Sequence, residues 1–345
     1  MTAATTHLTQ VRPHVPTERL LADLVPPRHF AGASFASYRA NPRYPSQQTT
    51  VLRLAEVTEL LNGGSGGWLR RLRAAAPKKA VAVYLDGGFG VGKTHLLASL
   101  AHAVGPDAAY YGTFVEYTNL VGALGFAKTV EALATKRLVC IDEFELDDPG
   151  DTVLMSRLLR ELADRGVALA ATSNTLPDSL GEGRFAAEDF LREIQALAAR
   201  FEIMRVDGED YRQRDIVIES LGLPDDAVSG AVAGRGGAMI DDFDELLGYL
   251  ARVHPSKYGA LLDRVTLLGL TGVHPVTDQS TGLRLVVLID RLYDRDVPVL
   301  LGGSGLSDLF SEQMLTGGYR KKYFRALSRL GSLAQDGRTL VDQAA

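Results

Sequence analysis

Hydrophobic and polar positions along the 345-residue chain change rhythm twice. Residues 1–79 start as an irregular leader broken by Pro13, Pro16, Pro26 and Pro27. Val51, Leu52, Leu54, Val57, Leu60 and Leu61 then recur at helical spacing across Gln48–Leu61, before a glycine break at Gly63–Gly67. From Ala80 short apolar runs alternate with amphipathic stretches. Val81–Leu85, Ala108–Tyr111, Leu138–Ile141, Val167–Thr172 and Glu202–Val206 read as five buried strands. Thr94–Val104 and Thr152–Asp164 read as helices, the latter with Leu154, Met155, Leu158, Leu159 and Leu162 on one face. Such alternation predicts a parallel sheet covered by helices on both faces, here over 80–220. Residues 221–345 read as a mostly helical lid, with helices at Ile240–Arg252, Leu283–Tyr293 and Tyr319–Leu333. The Gly/Ala-rich segment Val228–Ala238 reads as a flexible connection before them.

The first strand runs into Gly87-Gly88-Phe89-Gly90-Val91-Gly92-Lys93-Thr94, a G-x-x-x-x-G-K-[ST] phosphate loop between a strand and a helix. Its glycines let successive N–H groups turn toward phosphate oxygens, and the helix that follows adds the positive end of its dipole. Lys93 is expected to reach the β- and γ-phosphates, and Thr94 to ligate Mg²⁺. The third strand ends in Asp142-Glu143. Neighbours at a strand end point to different sides, so Asp142 suits the Mg²⁺ shell and Glu143 the attacking water. Phosphate-loop kinases and switch-type GTPases usually lack that glutamate. No N-K-x-D guanine signature occurs, so ATP is favoured over GTP.

Asn174, at the tip of the fourth strand, is placed to sense the γ-phosphate or to serve as a turn residue before Pro177. Arginine fingers stabilise phosphoryl transfer, usually across a subunit boundary. Arg184 leads the candidates, ahead of Arg200 and Arg192. Arg284, on a lid helix, is a candidate reporter of nucleotide state or a surface arginine.

Composition narrows this picture little. A net charge of −5, from 37 basic and 42 acidic residues, argues against a nucleic-acid coat. One cysteine, Cys140, fits a reducing compartment. No run approaches the roughly 18 apolar residues of a membrane span and no signal peptide is evident, so a cytoplasmic protein is expected. Peripheral membrane contact is compatible with this reading.

Several segments together resemble the ZapE cell-division ATPases, whose mitochondrial relatives are the AFG-one-like ATPases. Phe35-Ala36-Ser37-Tyr38 and Pro45-Ser46-Gln47 resemble that family's F-x-x-Y and P-S-Q elements. Asp142-Glu143-Phe144, Ala171-Thr172-Ser173-Asn174 and Asp210-Tyr211-Arg212 match its D-E-F, A-T-S-N and D-Y-R. Gly181–Arg184 with Phe190 and Ile194 is similar to its finger segment. Leu288-Ile289-Asp290 and Ser328-Arg329-Leu330 are similar to its L-I-D and S-R-L. Departures lie at His254-Pro255-Ser256-Lys257 and at Val265–Leu270, which stands where the family has an F-H-T-V strand. The resemblance implies an AAA+ ATPase that uses ATP and Mg²⁺, assembles with itself, and acts with division proteins such as the FtsZ ring at the division site.

Two other functions compete. A helicase-loader-like switch would use the basic run Arg320, Lys321, Lys322, Arg325 and Arg329, interleaved with Tyr319, Tyr323 and Phe324. The same spacing also describes a helix with one buried and one solvated face, and nucleic-acid binding is not expected. A pore-loop unfoldase would need an open aromatic loop, for which Gly122–Phe126 is the one region to test.

Overall fold

The computed structural model describes residues 6–13, 15–63, 80–88, 90–144, 149–173, 199–209, 221–306 and 308–342. Contacts divide the chain into two compact units, Thr17–Gln213 and a second made of Met1–Pro16 with Arg214–Ala345.

The first unit opens with helices α1 (Thr17–Ala22) and α2 (Pro45–Leu61). It continues through β1 (Ala82–Asp86), α3 (Lys93–Val104), β2 (Ala109–Thr113), α4 (Phe114–Leu124) and α5 (Phe126–Leu133). β3 (Leu138–Asp142), α6 (Pro149–Asp164), β4 (Ala168–Ser173) and β5 (Glu202–Arg205) complete it. All five strands run parallel in the order β2-β3-β4-β1-β5, as the alternation predicts. The two-residue period of a strand divides its side chains between two cores. Val83, Leu85, Leu138 and Cys140 meet α2 and α3 through Leu54, Val57, Leu96, Leu97 and Leu100. Ala82, Tyr84, Val139 and Ile141 meet α4, α5 and α6 through Phe114, Leu120, Leu133, Met155 and Leu158.

Tyr111 N on edge strand β2 donates to Leu24 O at 3.0 Å. On β5, Arg53 of α2 forms a two-pronged pair with Glu202, at 2.9 and 2.8 Å. Between β2 and β3, α4 forms under a capping box in which Thr113 Oγ1 accepts from Glu116 N and Thr113 N donates to Glu116 Oε2. Gly125 alone separates α4 from α5, and Phe126 packs under the Arg157 guanidinium. The Gly122–Phe126 region is therefore helix and tight turn, not an open loop.

The second unit contains α7 (Asp225–Val232), β6 (Ala238–Asp242), α8 (Phe243–Leu250), α9 (Tyr258–Leu261), β7 (Leu267–Thr271) and α10 (Gln279–Asp294). β8 (Val299–Leu301), α11 (Glu312–Thr316) and α12 (Arg320–Asp342) follow. It is rich in helix, but the helices pack on a parallel sheet of order β6-β7-β8. Two expectations are corrected here. Val228–Ala238 is not a flexible connection: α7 buries Val228 and Val232 against the sheet. Its approach requires Gly269 on β7, where an added Cβ would lie 2.8 Å from Val232 and 2.9 Å from Val228. Ile240 belongs to a strand, and the helix starts only after Asp242, whose side chain caps Glu245 N at 3.1 Å.

N-terminal residues complete this second unit. Thr6 bridges Met239 on the β6 edge, and buried Asp241 accepts from Leu8 N at 2.8 Å and from Thr9 Oγ1 at 2.8 Å. Opposite ends of the sequence meet in one core, where Leu8 is fully buried. Asp290 of α10 takes Arg325 and Arg329 of α12 at 2.8 and 2.5 Å. The residues resembling L-I-D and S-R-L thus join two helices.

Candidate functional site

In a parallel α/β sheet the carboxyl ends of the strands carry the functional loops. β1 ends in buried Asp86, and the chain turns at once into the phosphate loop. Gly90 and Gly92 have φ of +73° and +90°, values that favour glycine. An added Cβ on Gly87 would stand 2.3 Å from Val206 O, so β5's exit also needs a glycine there. Lys93 opens α3, and its Nζ donates to Gly87 O at 2.8 Å and Gly88 O at 2.6 Å. This ammonium is held among the same loop residues whose amides are proposed to meet phosphate. Phe89 lies outside the described residues.

β3, two strands away across β4, delivers Asp142 to the same edge. Asp142 is 5% exposed, and its Oδ1 lies 3.4 Å from Thr94 Oγ1. A hydroxyl and a carboxylate oxygen at this separation are hard donors of the kind Mg²⁺ prefers, so the pair fits that ion. Other donors fix the carboxylate. Thr172 Oγ1 of β4 makes a short hydrogen bond to Oδ1, Glu143 N donates to it at 3.1 Å, and Tyr111 OH donates to Oδ2 at 2.7 Å.

Glu143 occupies left-handed backbone, φ +54°. Such a conformation costs a non-glycine residue about 1–2 kcal/mol and persists where its surroundings impose it. Here they do. Glu143 N also meets Thr172 Oγ1 at 3.0 Å, and Phe144 N donates to Thr172 O at 2.7 Å. The Phe144 ring is buried edge-on against Tyr84 and Phe114, at centroid distances of 6.3 and 5.4 Å. Phe144 therefore anchors the turn that sets Glu143 off the strand end, beside Asp142.

N-terminal residues brace the loop from outside. Tyr38 OH donates to Val91 O at 2.8 Å, and its ring covers Gly92 so closely that a Cβ would lie 2.6 Å away. Gln47 links Asn41 N to Asp207 O at 2.8 and 2.7 Å. Asp86 carries Arg205 at 3.4 Å; burial raises its pKa, against the opposing charges of Arg205 and Lys93.

The structure thus brings Lys93, Thr94, Asp142 and Glu143 to one edge. Asn174, Arg184 and Arg192 lie outside the described residues, as do the D-Y-R segment and Phe190 and Ile194. Arg200 pairs with Asp164 at 3.0 Å. Arg284 belongs to the second unit, where it donates to Leu250 O and Val253 O at 3.2 and 3.4 Å. Sequence reasoning missed Tyr111, Thr172 and Asp86 as parts of the site. Thr172 was inside a recognised motif; Tyr111 had no signal beyond its place on a buried strand.

Among the described residues no helix is long and apolar enough to cross a membrane. The family model for AFG1-like ATPases matches residues 14–231 and 231–339. The cell division protein ZapE of Escherichia coli K12 is 30% identical over 152 residues, covering 41% of this chain and 40% of that protein. An uncharacterized protein of Schizosaccharomyces pombe is 27% identical over 161 residues, covering 40% of this chain and 34% of that one. The matched region thus spans well under half the length of either relative. Among solved structures, the replication initiator DnaA bound to AMPPCP and single-stranded DNA has TM-score 0.40 at 11% identity, covering 52% of this chain and 51% of that one. The DnaC helicase loader has TM-score 0.36 at 16% identity, covering 52% and 99%. Those two likenesses are too slight to bear on function. With the phosphate loop and the Asp142-Glu143 turn at one sheet edge, and with the family model spanning nearly the whole chain, the protein belongs to the AFG1-like ATPase family.

Proposed function

We propose that the protein hydrolyses ATP to ADP and phosphate with Mg²⁺ bound through Thr94 and Asp142. The observation that carries this reading is the meeting of Lys93, Thr94, Asp142 and the left-handed Glu143 at one edge of the sheet. When bound, Mg²⁺ supplies positive charge to the β- and γ-phosphate oxygens. Lys93 leaves the Gly87 and Gly88 carbonyls for those oxygens, and the loop amides hold the phosphate chain. Glu143 takes a proton from water as the water oxygen bonds to the γ-phosphorus. The bond from that phosphorus to the β–γ bridging oxygen breaks, and the electron pair leaves on ADP. Asn174 positions the water or γ-phosphate, Arg184 completes a neighbouring subunit's site, and Arg284 reports nucleotide state.

We further propose a homo-oligomeric cell-division factor that remodels an FtsZ-type assembly, cytoplasmic and recruited to the division site. The similarity to ZapE supports this. The helicase-loader alternative loses part of its support, because Asp290 engages Arg325 and Arg329, and Lys322 lies over the Tyr319 ring.

Steady-state hydrolysis measured against protein concentration, for wild type and Lys93→Ala, with and without purified FtsZ, tests both levels. Specific activity that rises with concentration and again with FtsZ is the expected result. Activity in wild type that Lys93→Ala retains would overturn the catalytic reading. Activity indifferent to concentration and FtsZ would overturn the oligomer and the client while leaving the ATPase.

A further inference from the structure

Asp142 and Tyr111 share one face of the sheet. Strand β2 pairs with β3 in the register Tyr111↔Cys140 and Thr113↔Asp142. Residues two apart on a strand point the same way, so Tyr111 and Asp142 are diagonal neighbours, a separation an aromatic side chain spans. The Tyr111 hydroxyl covers that span and donates to Asp142 Oδ2 at 2.7 Å, with the ring 2% exposed. The other oxygen, Oδ1, is the one nearest Thr94.

We infer that Tyr111 is a positioning residue for the metal site: its hydroxyl fixes Asp142 about the Cβ–Cγ bond and keeps the Oδ1 edge presented to the ion beside Thr94. This inference rests on the reading of the site as a Mg²⁺–ATP site. Thr172 Oγ1 and Glu143 N both approach Oδ1, so Tyr111 is the partner recorded for Oδ2 among the described residues. Without it, Oδ2 loses that donor and the carboxylate is held from its Oδ1 side alone. Partners one shell out from a metal ligand typically change metal affinity or activity about 10–100-fold when removed.

The test is Tyr111→Phe, which keeps the ring in the core and deletes only the donor. Tyr117→Phe serves as control: Tyr117 is equally buried, and its hydroxyl donates to Cys140 O at 3.0 Å. It touches the same strand without touching Asp142. A fluorescent ATP analogue is titrated in EDTA and then over a range of Mg²⁺ concentrations. Tyr111→Phe should bind the analogue like wild type in EDTA and need about ten-fold more Mg²⁺ for the metal-dependent gain. Tyr117→Phe should need no more than wild type. A Tyr111→Phe midpoint within two-fold of wild type, or an equal shift in Tyr117→Phe, overturns the positioning role alone. Wild type that binds no analogue, or binds it without any gain from Mg²⁺, overturns the nucleotide–metal reading and this inference together.

Discussion

Replacing Asp290 with alanine tests whether a family-like motif is structural. Asp290 is 18% exposed at its side chain, and its partners Arg325 and Arg329 are 9% and 17% exposed. At 2.8 Å and an effective dielectric of about 20, one such contact has roughly 6 kcal/mol of gross attraction. Desolvation cancels much of this. Deleting the acid nonetheless takes an ion-pair partner from two largely buried guanidinium groups, a loss of about 3–5 kcal/mol. For a folding unit of this size each kcal/mol moves Tm by about 2–4 °C, so Asp290→Ala should lower the second unit's transition by about 6–20 °C. Differential scanning calorimetry reads this directly. Binding of a fluorescent ATP analogue, measured well below the transition, should be unchanged. Burial raises the carboxyl's pKa, but the charges of Arg325 and Arg329 outweigh it and hold Asp290 below its ordinary 3.8. A depressed folded pKa gives stability that is complete above 3.8 and is lost as pH falls through the folded value. Wild type should therefore show an acid limb that Asp290→Ala lacks. The apolar triple variant Asp290→Leu, Arg325→Leu, Arg329→Met should recover most of the loss. A transition in Asp290→Ala within a degree or two of wild type would refute the buried-cluster argument.

Other expectations follow from single contacts. Glu143→Gln should bind ATP and stop turning it over, and retained hydrolysis would remove Glu143 from the role of base. Glu143→Gly should be inactive yet no less stable than wild type, because it relieves a left-handed strain of about 1–2 kcal/mol; a clear loss in Tm would contradict that. Gly92→Ala should cost about 2–3 kcal/mol, from its φ of +90° and from displacing Tyr38 and its bond to Val91 O. In a Tyr38→Ala background the same change should cost about 1–2 kcal/mol, and equal costs in both backgrounds would exclude Tyr38 as the obstacle. His274 Nε2 lies 2.9 Å from Asp244, and that hydrogen bond, then the Pro275 carbonyl, raises its pKa above 6.5. The stabilisation is present below pH 6.5 and is lost as pH rises through the folded pKa. Its size is under about 1 kcal/mol because both groups are largely exposed. Thermal melts of wild type and Asp244→Asn should converge between about pH 5.5 and 8.5; a gap independent of pH would show that this pair does not titrate as described.

Along the first unit the sequence alone determined the strands, the phosphate loop and the acidic turn. The three central strands, β3, β4 and β1, are buried along their whole length and read as short apolar runs. Gly87–Thr94 is legible because phosphate binding imposes its residue types at fixed spacing. The Asp142-Glu143 pair is legible because it ends such a run. What only the tertiary structure decided depends on partners distant in sequence. Val228–Val232 is helix because Gly269, 37 residues later than Val232, opens space for it. Leu8 and Thr9 are held by Asp241, more than 230 residues away. Tyr111 became part of the site only through the β2–β3 register, which places its hydroxyl on Asp142. Local patterns record what a residue needs from its own turn or strand; a hydrogen bond across a sheet leaves no periodic trace in either partner's neighbourhood, so only the packed fold reveals it.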